Sequence, residues 1–200
     1  MTRAAPKVAP YRIVSPAPKW PKTMRDMNIL EGDLSPPAGR FAIVVARFNS
    51  MVTEALLQGC RDRFARLGVS PDRLDVAWVP GSFEIPLVAR KMAETRQYAA
   101  VVTLGCVIRG ETSHYDHVAG QAAAGVMQAS TQTGVPVIFG ILTTENVEQA
   151  LNRSGLKSGN KGAEAAEAAV EMVNLLGMIT PGGGMTTVPA GFTGSRPQTR

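Results

Sequence analysis

Four short apolar runs recur along this sequence, each followed by a stretch in which apolar residues return every three or four positions. The runs are residues 41–46, 74–79, 99–108 and 135–142, rich in Val and Ile and bounded by turn-forming residues. Their hydrophobicity is continuous, with a single acid (Asp75) in the second run. Continuous runs of this length are what strands covered on both faces show. Between them lie helical patterns. In 52–67 the residues Val52, Leu56, Leu57, Cys60, Phe64 and Leu67 hold the three-four spacing, and 83–92, 118–127 and 163–176 read the same way. Gly68 and Gly134 stand where helix C-terminal caps belong. Strand and helix alternating at these intervals imply right-handed crossovers, hence a parallel sheet of about four strands with helices on both faces, an α/β three-layer sandwich. The ligand site of such a sheet lies at the carboxyl ends of its strands.

Composition limits what that site serves. The chain has 200 residues and 44% apolar residues, enough for one domain with a full core. No run approaches the ~20 apolar residues of a membrane span. The net charge is +5, but residues 1–25 hold six basic residues and no acid, residues 181–200 hold two more, and the body 26–180 is left at −3. A nucleic-acid partner would want a basic face on the body itself, so neither nucleic acid nor membrane is expected as a partner. Residues 1–25 read as a disordered basic extension. They lack the apolar core of a secretory signal, and Pro6, Pro10, Pro16, Pro18 and Pro21 would break an amphipathic transit helix. Residues 181–200 read as a flexible tail, and 24–34 as either an edge strand or part of the N-terminal extension. Cys60 and Cys106 fall inside a helix and a strand and are expected as buried thiols of a cytoplasmic protein.

The segments after the strands carry the candidate chemistry. Phe48 and Asn49 offer a ring and an amide to a planar polar ligand, or else a core aromatic beside a helix N-cap. Ser82 and Glu84 offer partners for ligand hydroxyls, or else a cap for the next helix and a first-turn acid favoured by its dipole. Arg109-Gly110-Glu111-Thr112-Ser113-His114 makes a small-residue turn before a helix, a workable anion site. There His114 supplies an imidazole, which titrates near neutrality, or is a surface residue of the first turn. His117, three residues on, completes a His-x-x-His pair, but no third metal ligand is placed with it, and no metal is expected. Arg153, Lys157 and Lys161 line a Gly-rich segment whose spacing fails the phosphate-loop motif, since its second Gly would fall at Asn160. On residue chemistry alone the three cations could still hold an isolated phosphate, but a solvated basic loop between helices is the favoured reading.

Together, Arg47-Phe48-Asn49, Gly81-Ser82-Phe83-Glu84-Ile85-Pro86, the run Gly105 to His114, the run Phe139 to Thr144, and Gly159-Asn160-Lys161-Gly162 resemble lumazine synthase, over residues 43–176. The resemblance implies a flavodoxin-like fold and a cofactor-free condensation of a ribitylamino-pyrimidine with a four-carbon phosphosugar ketone. It implies that Phe48 stacks on the pyrimidine and that Asn49, Ser82 and Glu84 face the ribityl chain, with Phe83 in the wall. Val107 and Ile108 would give main-chain contacts to the pyrimidine edge. Glu111 and Thr112 would begin the phosphate turn, and His114 would transfer protons. Phe139 would come from a neighbouring subunit, Arg153 would clamp phosphate, and Lys161 would stand near it. This reverses the bland reading of the basic loop for Arg153 and Lys161 and leaves Lys157 in solvent. It also implies a homo-oligomer with its site at the subunit interface, built from pentameric rings that some members pack into an icosahedral capsid. The uninterrupted loop from Gly155 to Asn160 points toward the capsid. Ser113 and Tyr115 depart from the residues the family often has there. The related riboflavin synthase, or a flavin carrier, would not need Phe48, His114 and Arg153 together.

Overall fold

A computed structural model describes residues 30–179. The two extensions, and residues 24–29 of the possible edge strand, lie outside the described residues; residues 30–34 are not strand. The elements are β1 (Arg40–Ala46), α1 (Ser50–Arg66), β2 (Leu74–Val79), α2 (Ile85–Glu94), β3 (Tyr98–Ile108), α3 (His114–Thr133), β4 (Val137–Thr144), α4 (Val147–Arg153) and α5 (Lys161–Ile179). A turn of 3₁₀ helix, Pro71–Arg73, precedes β2. The strands form one parallel sheet in the order β2-β1-β3-β4.

The strand alternation sorts the core into two layers. Phe41, Ile43 and Val45 of β1 and Val102 and Leu104 of β3 face α1 and α5, where they meet Leu56, Cys60, Phe64, Ala166 and Ala169. Ala42 and Val44 of β1 and Val101 of β3 face α2 and α3 and meet Ile85, Ala89, Ala122 and Val126. The central strands are buried on both faces, as their unbroken hydrophobicity requires. β2 is not. It is an edge strand, and Val76 and Trp78 remain 39% and 37% exposed because the helical layer ends before it.

The boundaries differ from expectation for physical reasons. β4 begins two residues late because Pro136 has no N–H to give; its carbonyl accepts from Val101 N instead. β4 also runs on through Thr143 and Thr144, which pair with Val107 and Ile108. α3 extends well past both expected ends, because its first and last turns are polar and carry no apolar period. Gly134 caps it in the left-handed conformation at φ 69°. Mid-helix Gly125 has a contact reason: a Cβ there would lie 2.6 Å from Pro86, where α2 and α3 cross.

Candidate active site

The chain goes from β1 outward to β2, then returns to the other side of β1 for β3. The topological switch point therefore lies between β1 and β3. Their pairing stops at Val45 and Leu104, while β3 continues to Ile108 against β4 alone. Beyond Leu104 the β1-facing edge of β3 has no strand partner, and this opening at the switch point is the candidate cleft.

Phe48 and Asn49 stand at one wall of the cleft. The ladder of β1 and β2 is prolonged by Arg47 N and Phe48 N, which donate to Val79 O and Pro80 O. Asn49 then turns left-handed at φ 60° and starts α1. It holds the N-cap position, but its side chain does not cap; Nδ2 reaches across the gap and donates to Cys106 O at 3.0 Å. The chain thus tightens the mouth of the cleft. Phe48 is 70% exposed, so the core-aromatic reading of it is wrong.

The loop after β2 forms a second wall. Ser82 does not cap α2, as one reading had it, because the helix begins at Ile85 with Pro86 in its first turn and Glu84 at the N-cap. Ser82 is buried instead, and its Oγ lies 2.6 Å from where a Cβ on Gly105 would stand. Gly105 is glycine because that hydroxyl presses on β3. Glu84 folds back to accept from Gly81 N at 2.9 Å, which fixes the loop while Phe83 projects outward, 56% exposed.

The open edge of β3 supplies the floor. Cys106 O points to Asn49 and Arg109 N to Thr144 O on β4. Hydrogen-bonding edges alternate along a strand. The main chain of Ile108 therefore faces the cleft, whereas that of Val107 serves β4. Of the two expected pyrimidine contacts, only Ile108 has its main chain free to make one.

The turn after β3 is exposed from Arg109 to His114, and His114 is the first residue of α3. Thr112 Oγ1 accepts from His114 N at 3.4 Å. Arg109 braces this turn. It donates to Asp116 of α3 at 3.0 Å and to Glu145 after β4 at 2.7 Å, and its guanidinium lies 4.0 Å over the Tyr115 ring. His117 is exposed, and among the described residues no group of three His, Cys, Asp or Glu is placed to hold a metal ion.

The remaining candidates lie elsewhere in the chain. Arg153 ends α4 and Lys161 begins α5, on the α1–α5 side of the sheet. Their charges converge on one carboxylate: Glu164 Oε2 lies 3.5 Å from Arg153 Nη2 and 3.1 Å from Lys161 Nζ. Sequence reading missed Glu164, although its three-residue offset from Lys161 on a helix was a visible signal. Lys157 is exposed, as expected. Phe139 is half-buried against the α2–α3 layer and pairs with Thr103, five residues short of the carboxyl end of β4. At ~3.3 Å per residue that is about 16 Å from the end of the strand.

Both cysteines are buried thiols. Burial pushes the Cys106 thiol up to about 11 and raises that of Cys60 as well, so neither is a nucleophile near neutrality. The model of a protein family described as 6,7-dimethyl-8-ribityllumazine synthase matches residues 38–177.

Proposed function

The chain belongs to the 6,7-dimethyl-8-ribityllumazine synthase family, and on that footing we propose which of its residues carry the reaction and how subunits share them. It is a transferase of riboflavin biosynthesis. The family condenses 5-amino-6-(D-ribitylamino)uracil with 3,4-dihydroxy-2-butanone 4-phosphate to 6,7-dimethyl-8-ribityllumazine and assembles as an oligomer.

Phe48 stacks on the pyrimidine ring. The carrying observation is its exposure at the cleft mouth, on a loop held by Asn49: an aromatic ring left in water beside an open strand edge suits a planar ligand. Ile108 gives main-chain bonds to the pyrimidine edge. Asn49, Ser82 and Glu84 flank the ribityl chain, and Phe83 walls it. Glu111 and Thr112 lead the phosphate into the turn before α3. The 5-amino group attacks the ketone and water leaves as the Schiff base forms. Phosphate is then eliminated, and the ribitylamino nitrogen closes the ring with loss of a second water. His114 moves the protons of these steps, and the rest is the holding of two reactants in register. The steps call for no metal or redox cofactor.

Phe139, Arg153 and Lys161 act on the site of a neighbouring subunit. Two observations support this. Phe139 lies five residues short of the carboxyl end of β4, level with Thr103 and below the opening beyond Leu104, and the cations are tied to Glu164 on the α1–α5 side, away from the α2–α3 layer that His114 begins. A pentameric ring would bring such halves together, and the capsid built from such rings is the assembly we favour. We place the enzyme in the cytoplasm, where buried thiols stay reduced.

The test is turnover of the two substrates in the presence of a chelator, followed by lumazine absorbance. Turnover should survive the chelator and fall by about 10²-fold or more in His114→Ala. Unchanged turnover in that variant removes the proton-transfer role. Absent turnover with tight lumazine or flavin binding makes the chain a carrier.

A further inference from the structure

The segment between Arg153 and Lys161 is tied back to α4 by main-chain bonds from Leu156, Lys157 and Ser158, and to α1 and α5 by the side chain of Asn160. Asn160 uses its whole amide: Nδ2 donates to Ala55 O at 3.0 Å and to Ser154 O at 2.7 Å, while Oδ1 accepts from Gly162 N at 2.9 Å and Ala163 N at 3.2 Å. One bond anchors the loop to α1, one closes it on itself beside the Ser154–Asn160 bridge, and two cap α5. Space for this is cut from the neighbours. A Cβ on Gly59 of α1 would lie 2.4 Å from the Asn160 amide, and one on Gly162 would lie 2.0 Å from Leu56 O. The two cations flank this knot at either end, since Arg153 immediately precedes Ser154 and Lys161 immediately follows Asn160.

We propose that Asn160 is a positioning residue for phosphate recognition: it fixes the separation of Arg153 and Lys161 by docking their loop on α1. The proposal rests on the clamp reading of those cations given above. It also says why side chains, and not the end of α5, must hold the anion. The Gly162 and Ala163 amides that would face an anion there are already spent on Asn160 Oδ1.

Asn160→Ser isolates the effect. A serine still caps α5 but loses both donors from Nδ2, and no charge is added near the cations. The expected result is a rise of about tenfold in KM for the butanone phosphate, the scale of the two part-buried hydrogen bonds lost from Nδ2, with KM for the pyrimidine within about twofold. Inhibition by inorganic phosphate should weaken in parallel. A merely structural role would move both KM values together or lower only the amount of folded protein. Gly59→Ala, which displaces Asn160 without changing its chemistry, should reproduce the phosphosugar effect, and its added effect should shrink in the Asn160→Ser background. Equal changes in the two KM values, or none in either variant, overturn the proposal. If Arg153→Ala leaves the phosphosugar KM unchanged, the clamp reading fails and the proposal with it. A raised KM in Arg153→Ala beside unchanged values in Asn160→Ser and Gly59→Ala refutes the proposal alone.

Discussion

Replacing Gly162 by alanine sets two effects of opposite sign against each other. Alanine is the better helix former, by up to about 1 kcal/mol in a helix interior. Yet the new Cβ would stand 2.0 Å from Leu56 O and 2.7 Å from its carbon, both main-chain atoms of α1. Ordinary contact begins at 3.4 Å, so α1 and α5 must part by about 1.4 Å along a seam of Cys60, Ala165, Ala166 and Ala169. Overpacking of that kind costs about 1–3 kcal/mol, which outweighs a propensity gain already small in the first turn. A net loss of about 1–2 kcal/mol lowers Tm by roughly 2–8 °C in a domain of this size. The same helix holds its own control. A Cβ on Gly177 meets nothing within 4 Å, so Gly177→Ala should hold or raise Tm. Thermal unfolding by circular dichroism, at one protein concentration because the family is oligomeric, reads both. A Gly162→Ala protein as stable as wild type, or moved in the same direction as Gly177→Ala, would refute the packing argument.

Two other outcomes follow from the geometry. Glu164→Gln frees Arg153 and Lys161 from their shared carboxylate, and on the clamp reading inorganic phosphate should then inhibit about two- to fivefold more tightly, the modest scale of half-exposed ion pairs; weaker inhibition would make Glu164 a support for the cations instead of a competitor. The Cys106 thiol, pushed up to about 11 from an ordinary 9.0 by burial, is neutral in the fold at pH values where the unfolded chain is ionised. Its contribution is therefore whole below pH 9 and falls by about 1.4 kcal/mol per pH unit as pH rises from 9 to 11. Urea unfolding across that range should show a flatter decline in Cys106→Ala than in wild type, and parallel declines would contradict the assignment.

Much of this was legible because the central strands are buried on both faces and so write an unbroken apolar run. The same signal misled at β2, whose valine and tryptophan lie half bare at the sheet edge, and at β4, where Pro136 and two threonines shift the ladder without changing hydropathy. Phe48 and Asn49 carried two readings, and the fold removes the core reading of the first and the capping reading of the second: exposure is a property of the loop, not of the residue. Ser82 and Glu84 were both visible, but which one starts α2 depends on Pro86 settling into the first turn. Arg153 and Lys161 looked like solvent charges because their meaning lies in a turn closed by Asn160 and a carboxylate from α5. Phe139 is the extreme case. Neither its place in β4 nor one folded chain gives it a ligand, and the role proposed for it is one between subunits.

That division of the site is the claim on which the account turns, and mixing two inactive proteins tests it. His114→Ala lacks proton transfer in one half-site, and Arg153→Ala lacks the clamp in the other. Each alone should be nearly inactive. Unfolded together and reassembled, they should form mixed oligomers in which some interfaces pair an intact His114 with an intact Arg153, and lumazine formation should return to a fraction of the wild-type rate. If both residues serve the same chain's cleft, no interface is whole and the mixture stays as inactive as its parts.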